Sequence, residues 1–275
     1  ESFFEGAKKV EKEKIEITLN TLNTQLSSLG KVDQGELEMS LKLKTSLEQI
    51  SDEGNYHAFA LRCWPEMFTE YGGAICAPVS MLSENKIPCA CEADIYGSIT
   101  QLFLQEVSGS QVFLTDLVDI DVNDNTGVVW HCGQAPISMC DEEFKPQATI
   151  HTNRKMPLLF EFPLKEGIVT LMRISKSFGK QKMVISKGKM LKREMAFTGT
   201  SGVIQFDSSA EVVLNDIINQ NDLNDIIKSL YETNFFENVT IEIVNNNLII
   251  TVKENPIIQE VVIEGIKKES LKNQI

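Results

Sequence analysis

All six cysteines and all nine methionines of this 275-residue chain lie before Ser208, while eleven of its eighteen asparagines lie after it. Only one of the sixteen glycines, Gly265, falls in that tail. One domain does not usually partition its residues this way, whereas two domains of different history do. The break therefore predicts one domain over residues 1–207 and another over 208–275. No Pro/Gly/Ser-rich linker marks the joint; only the stretch from Phe206 to Val212 separates the two textures.

In the first part, residues 1–26 carry helical spacing, with Phe3, Phe4, Ala7, Val10, Ile15 and Ile17 set among charges. Residues 34–51 repeat it with Leu37, Leu41, Leu43 and Leu47. The apolar run Ala58–Leu61 suits a buried strand, and Pro65 suits the first turn of a following helix. Pro88 to Cys91 reads as the next strand, Ile95 to Glu106 as a helix, and Val112 to Val118 as a third strand. This alternation predicts an α/β layer with a parallel sheet and helical crossovers, spanning about residues 1–144. From Lys145 to 207 the texture becomes β-rich, with antiparallel strands at Leu158–Phe162, Gly167–Ser175 and Lys182–Met190. Lys187-Gly188, between apolar runs, reads as a hairpin turn.

In the tail, Leu223, Ile226, Ile227, Leu230 and Tyr231 fall on one face of an amphipathic helix. Val239, Ile241 and Ile243 alternate, as do Leu248, Ile250 and Val252, with Asn245-Asn246-Asn247 as the turn of a β-hairpin. Ile257 to Ile263 makes one more strand.

The formal net charge of −13 and the pI of about 4.8 argue against nucleic acid as the main partner, because phosphate binding needs a basic face. No apolar run approaches the roughly 18–20 residues that span a bilayer, so no transmembrane segment is expected. The N-terminal stretch has no apolar h-region, so it does not read as a secretory signal; it has no initiator Met and opens as if inside a helix, so the chain is expected to be a fragment of something longer. None of Cys63, Cys76, Cys89, Cys91, Cys132 and Cys140 forms a C-x-x-C pair. Reduced, buried thiols are expected, and a zinc site built from them is not.

Three clusters could carry chemistry. Arg62-Cys63-Trp64-Pro65-Glu66 and Cys91-Glu92-Ala93-Asp94 each follow a predicted strand directly, and Trp130-His131-Cys132-Gly133 lies further on. In parallel α/β sheets, ligands gather beyond the carboxyl ends of the strands. Glu66 and Asp94 would then share an edge, where two carboxylates can hold a divalent cation and move a proton. The alternative is that both are helix N-terminal acids favoured by the helix dipole. His131 by itself fits a hydrogen-bonded structural histidine as well as a site residue.

The order CWPE, CEADIYGS, HCG resembles the fucose/arabinose-isomerase-like superfamily over about residues 30–207. The resemblance implies a metal-dependent aldose–ketose isomerase of carbohydrate metabolism, commonly using manganese, with a small sugar as substrate in the cytoplasm. It implies Glu66 as metal ligand and catalytic acid/base, Asp94 as the second ligand, Glu92 as a neighbour of the site, and His131 and Trp64 near the sugar. The family's third ligand is a histidine close to its C-terminus, and His57, His131 and His151 all come too early for it. Weak metal binding, if any, and little or no isomerase activity are therefore expected.

LYETNFFENV and VKENPIIQEVVIEG resemble the first POTRA repeat of the BamA-type barrel assembly factor, over about residues 210–275, with the next repeat starting at Ile257. That resemblance implies a small periplasmic α+β module that takes unfolded outer-membrane protein segments. The copy lacks the repeat's first strand. Cytoplasmic and periplasmic parts in one chain without an export signal suggest a chimeric open reading frame.

Overall fold

Asp33 shows how the first helices are set. Its carboxylate accepts the Glu36 amide at 2.9 Å and caps α3, Gln34–Gly54, while Asn55, left-handed at φ 50°, ends it. Leu37, Leu41, Leu43 and Leu47 are all buried. Ahead of α3 come α1, Phe3–Lys8, and α2, Lys12–Gln25. The computed structural model describes residues 3–177, 180–217, 236–244 and 247–254. The chain divides into two compact units, Glu1–Leu214 and Asn215–Ile275.

In the first unit, β1, Phe59–Ala60, pairs in parallel with β2, Cys89–Ala90. The helix expected from Pro65 is split. One turn of π-helix, Met67–Tyr71, ends where Gly72 turns left-handed at φ 85°, and α4, Cys76–Glu84, starts afresh. The reason is space: a Cβ on Gly73 would stand 3.1 Å from the Ser40 amide nitrogen. α5, Ile95–Ser108, follows β2 and closes at Gly109.

The third strand does not join the parallel pair. Regular structure resumes only at β3, Asp116–Asp121, which runs antiparallel to β4, Thr126–His131. Asp116-Leu117-Val118-Asp119-Ile120-Asp121 is largely exposed, and such a strand suits a half-solvated edge rather than a sheet buried on both faces. The apolar stretch before it packs instead under α5, where Leu114 Cδ1 would come within 3.0 Å of a Cβ on Gly97.

A seven-stranded mixed sheet forms the rest. Its path is β3-β4-β9-β6-β5, with β8 pairing both β7 and β9. Here β5 is Gln147–Thr149, β6 Leu159–Pro163, β7 Gly167–Ser177, β8 Lys180–Leu191 and β9 Thr200–Phe206. β6 is antiparallel to β5 but parallel to β9. This sheet takes strands from both sides of residue 144, so the α/β and β-rich stretches share one layer. Fully buried Phe160 and Phe162 join Leu22, Leu41 and Ile204 in the core between helices and sheet.

Lys187-Gly188 is not a turn. Both residues lie inside β8, opposite Thr170 and Val169. Gly188 is there because β8 presses on β9: a Cβ would stand 2.5 Å from the Gln205 carbonyl oxygen. α6, Ala210–Ile217, follows β9.

In the second unit, β10, Phe236–Val244, and β11, Asn247–Glu254, form the expected antiparallel hairpin. Val239 stands opposite Val252, Ile241 opposite Ile250 and Ile243 opposite Leu248. Asn247, expected in the turn, pairs with Val244 instead. The amphipathic helix around Leu223–Tyr231 and the strand Ile257–Ile263 lie outside the described residues.

Candidate functional site

The loops leaving β1 and β2 are stitched together from their first residues. The Leu61 amide donates to the Ala90 carbonyl at 2.8 Å, and the Ala93 amide donates to the Leu61 carbonyl at 2.9 Å. Cys91 and, beyond it, the Glu92 amide draw the Cys63 thiol below its usual range, against the effect of burial. Glu92 and Ala93 are both left-handed, at φ 60° and 56°. Two consecutive non-glycine residues in that region cost roughly 1 kcal/mol or more each. The backbone thus brings Arg62–Glu66 and Cys91–Asp94 to the same end of the parallel pair.

Glu66 stands at the start of the π-turn, its side chain about one-third exposed, with its carboxylate 3.0 Å from the Arg62 guanidinium. Trp64 is 52% exposed, and the Arg154 guanidinium carbon stands 4.6 Å from its ring centroid. Glu92 is exposed.

Asp94 does what a helix N-cap does: its Oδ1 accepts the Gly97 amide at 2.8 Å. It also holds Arg173 of β7 through both oxygens, with Nη2 3.0 Å from Oδ1 and Nη1 on Oδ2. Burial pushes its pKa up. Arg173 and the Gly97 and Tyr96 amides outweigh that and hold the carboxyl below its usual range.

His131 ends β4 and is 5% exposed, stacked on Trp130 at a 6.2 Å ring separation. Its Nδ1 accepts the Cys132 amide at 2.8 Å. Burial works against a charge on its ring, while Cys132, Asp116 and Glu92 favour one and leave the imidazole pKa raised. Around the Cys132 sulfur stand Cys76 with its sulfur at 3.4 Å, His131 Nδ1 at 3.3 Å and Gln134 Nε2 at 3.6 Å.

These donors do not fit a divalent cation as they stand. Each candidate carboxylate carries its own guanidinium. Among the described residues no group of three or more His, Cys, Asp or Glu is arranged to hold a metal ion. What the arrangement offers is a surface carboxylate at Glu66, a flat apolar face with a cation at Trp64–Arg154, and a set of thiols beneath. Sequence reasoning did not find Arg62, Arg154 or Arg173 as the partners of these groups. The one available trace was an arginine amid the apolar residues of β7.

No family model matches the chain. It is 31% identical to the sulfoquinovose isomerase of Alkalicoccus urumqiensis over 218 residues, 79% of this chain and 49% of that protein. It is 36% identical to the sulfoquinovose isomerase of Priestia megaterium over 162 residues, 58% of this chain and 36% of that protein. A third, from Clostridium sp., is 35% identical over 150 residues, 54% and 34% of the two chains. The chain therefore spans half or less of the length of these curated relatives. They give no support to a POTRA repeat. Among the described residues no helix is long and apolar enough to cross a membrane.

Proposed function

We propose that this chain carries part of a sugar aldose–ketose isomerase whose substrate is a hexose bearing an anionic group, of the sulfoquinovose kind. The similarity to three sulfoquinovose isomerases supports this reading, and it favours that sugar over fucose or arabinose. The observation that carries it is the stitching of the Arg62–Glu66 loop to the Cys91–Asp94 loop at one end of β1 and β2. In this reading Glu66 moves the proton between the two carbons of the open-chain sugar. Trp64 stacks on the apolar C–H face of the sugar, and Arg154 meets its anionic group. Glu92 and His131 flank the site, and Asp94 fixes the start of α5 beside it.

Manganese, or another divalent cation of the kind such isomerases use, would be held weakly if at all while Arg62 and Arg173 occupy the carboxylates. Slow conversion by this chain is therefore proposed. The test is ketose formation from sulfoquinovose, fucose and arabinose with added manganese. Sulfoquinovose should be the preferred sugar, at well under about 1 s⁻¹, the low end of ordinary enzyme turnover. Rapid turnover of fucose or arabinose would overturn the reading.

The domain limit at 207/208 and the POTRA reading of the tail, with unfolded outer-membrane protein segments as partners, are further proposals. The POTRA reading rests on the quoted motifs and on the β10–β11 hairpin, which many small α+β modules share.

A further inference from the structure

We propose that Cys76 and Cys132 are a thiol pair that a hydroperoxide oxidises to a disulfide. The two sulfurs are 3.4 Å apart, within about 1.4 Å of bonding distance. They come from different elements: Cys76 opens α4 and Cys132 follows the last residue of β4. Cys76 is 2% exposed, whereas Cys132 is only partly buried, so Cys132 is the sulfur an oxidant meets.

Its surroundings supply the proton acceptor. His131 Nδ1 lies 3.3 Å from the Cys132 sulfur. The Cys132 amide donates to that nitrogen at 2.8 Å, so Nδ1 is unprotonated with its one lone pair engaged, and it takes the thiol proton by giving up the amide bond. Beside it Gln134, 1% exposed, points Nε2 at the same sulfur from 3.6 Å, and its Oε1 has no hydrogen-bond partner. The sulfur thus faces donors and an acceptor on one side while packing against Ala74, Cys76 and Leu159 on the other. Cys140 provides the contrast. It is also partly exposed, but its thiol faces the Asp141 and Phe144 carbonyls, and burial pushes its pKa up to about 12.

The chemistry balances in two steps. The Cys132 thiolate attacks one peroxide oxygen; an S–O bond forms, the O–O bond breaks, and the departing oxygen leaves as an alcohol or water with the thiol proton. The Cys76 sulfur then attacks Cys132 Sγ; the S–S bond forms, the S–O bond breaks, and water leaves with the Cys76 proton. Two thiols lose two electrons and the peroxide gains them. The bridge would tie the start of α4 to the end of β4. It does not depend on the isomerase reading.

The test is intact-mass and peptide mapping of the reduced full chain after titration with hydrogen peroxide. The expected product has lost two hydrogens, contains one cross-linked peptide pair joining Cys76 to Cys132, and reverts with dithiothreitol. Cys132 should be consumed at least about tenfold faster than Cys140. Cys76→Ser should leave a sulfenic acid on Cys132 that dimedone traps, and Cys132→Ser should give neither product. Circular dichroism of both variants confirms that each remains folded. A link between Cys63 and Cys91 alone would overturn the proposal. So would sulfinic acid on Cys132 with Cys76 still free, or equal consumption of Cys132 and Cys140.

Discussion

Phe160→Ala is expected to destabilise the first unit by about 3–5 kcal/mol, the usual cost of emptying a large core site. Phe160 is fully buried in β6, with Ala148 of β5 opposite it. Its ring belongs to the cluster that joins α2, α3 and α4 to the seven-stranded sheet. Its backbone cannot retreat, because the Gly133 Cα leaves no room: a Cβ there would stand 2.5 Å from the Phe160 carbonyl oxygen. A site held this tightly relaxes little, and the cavity cost stays high. Urea unfolding followed by tryptophan fluorescence reads this unit alone, since both tryptophans, Trp64 and Trp130, lie in it. A loss below about 1 kcal/mol would show that the core is not organised around β6.

Asp94→Ala should cost about 2 kcal/mol by the same measurement. Roughly 1 kcal/mol comes from the lost cap on Gly97. About as much again comes from the two-point contact with Arg173, discounted because the two side chains are 24% and 41% exposed. Asp94→Asn keeps the cap acceptor and loses the charge, so it should cost about half. The pH dependence has a definite sign. The folded carboxyl titrates below its unfolded value, so its contribution is present above the unfolded pKa of about 4 and lost as pH falls through the folded one. The gap between wild type and Asp94→Asn should therefore be full at neutral pH and shrink below about pH 4. A gap that widens in acid would mean that Arg173 does not hold the ionised carboxylate.

Much of this architecture was legible in the residues because local signals and tertiary demands agree. Leu37, Leu41, Leu43 and Leu47 mark α3 by their spacing, and all four are buried in it. Alternation at Val239–Ile243 and Leu248–Val252 encodes the β10–β11 hairpin and its register. Misreadings arose where one residue type answers two demands. Lys187-Gly188 has turn chemistry, yet the glycine serves the close approach of β9. Val112–Leu114 has a strand's composition, yet that stretch lies under α5 and pairing starts only at Asp116.

The candidate site was legible in place more than in state. Each of Glu66 and Asp94 follows an apolar run, which puts it beyond the end of a strand. A capping acid and a ligating acid carry the same sequence signal, however, and only the structure shows Asp94 capping α5. Its partner Arg173 stands 79 residues away in the chain, and no periodicity records so distant an ion pair. The same holds for Cys76 and Cys132, 56 residues apart.

The central claim is that the loops after β1 and β2 form a sugar site built on Trp64 and Glu66. Its most direct test is a sulfoquinovose titration of the full chain, followed by isothermal calorimetry, alongside Trp64→Ala, Glu66→Gln and a Lys176→Ala control on β7. The account predicts saturable binding that weakens at least about tenfold in Trp64→Ala, a loss of about 1.4 kcal/mol, with the control unchanged. Glu66→Gln should bind within a few-fold of wild type, because it loses only the proton-moving charge. No saturable binding, or binding that Trp64→Ala leaves intact, would contradict it.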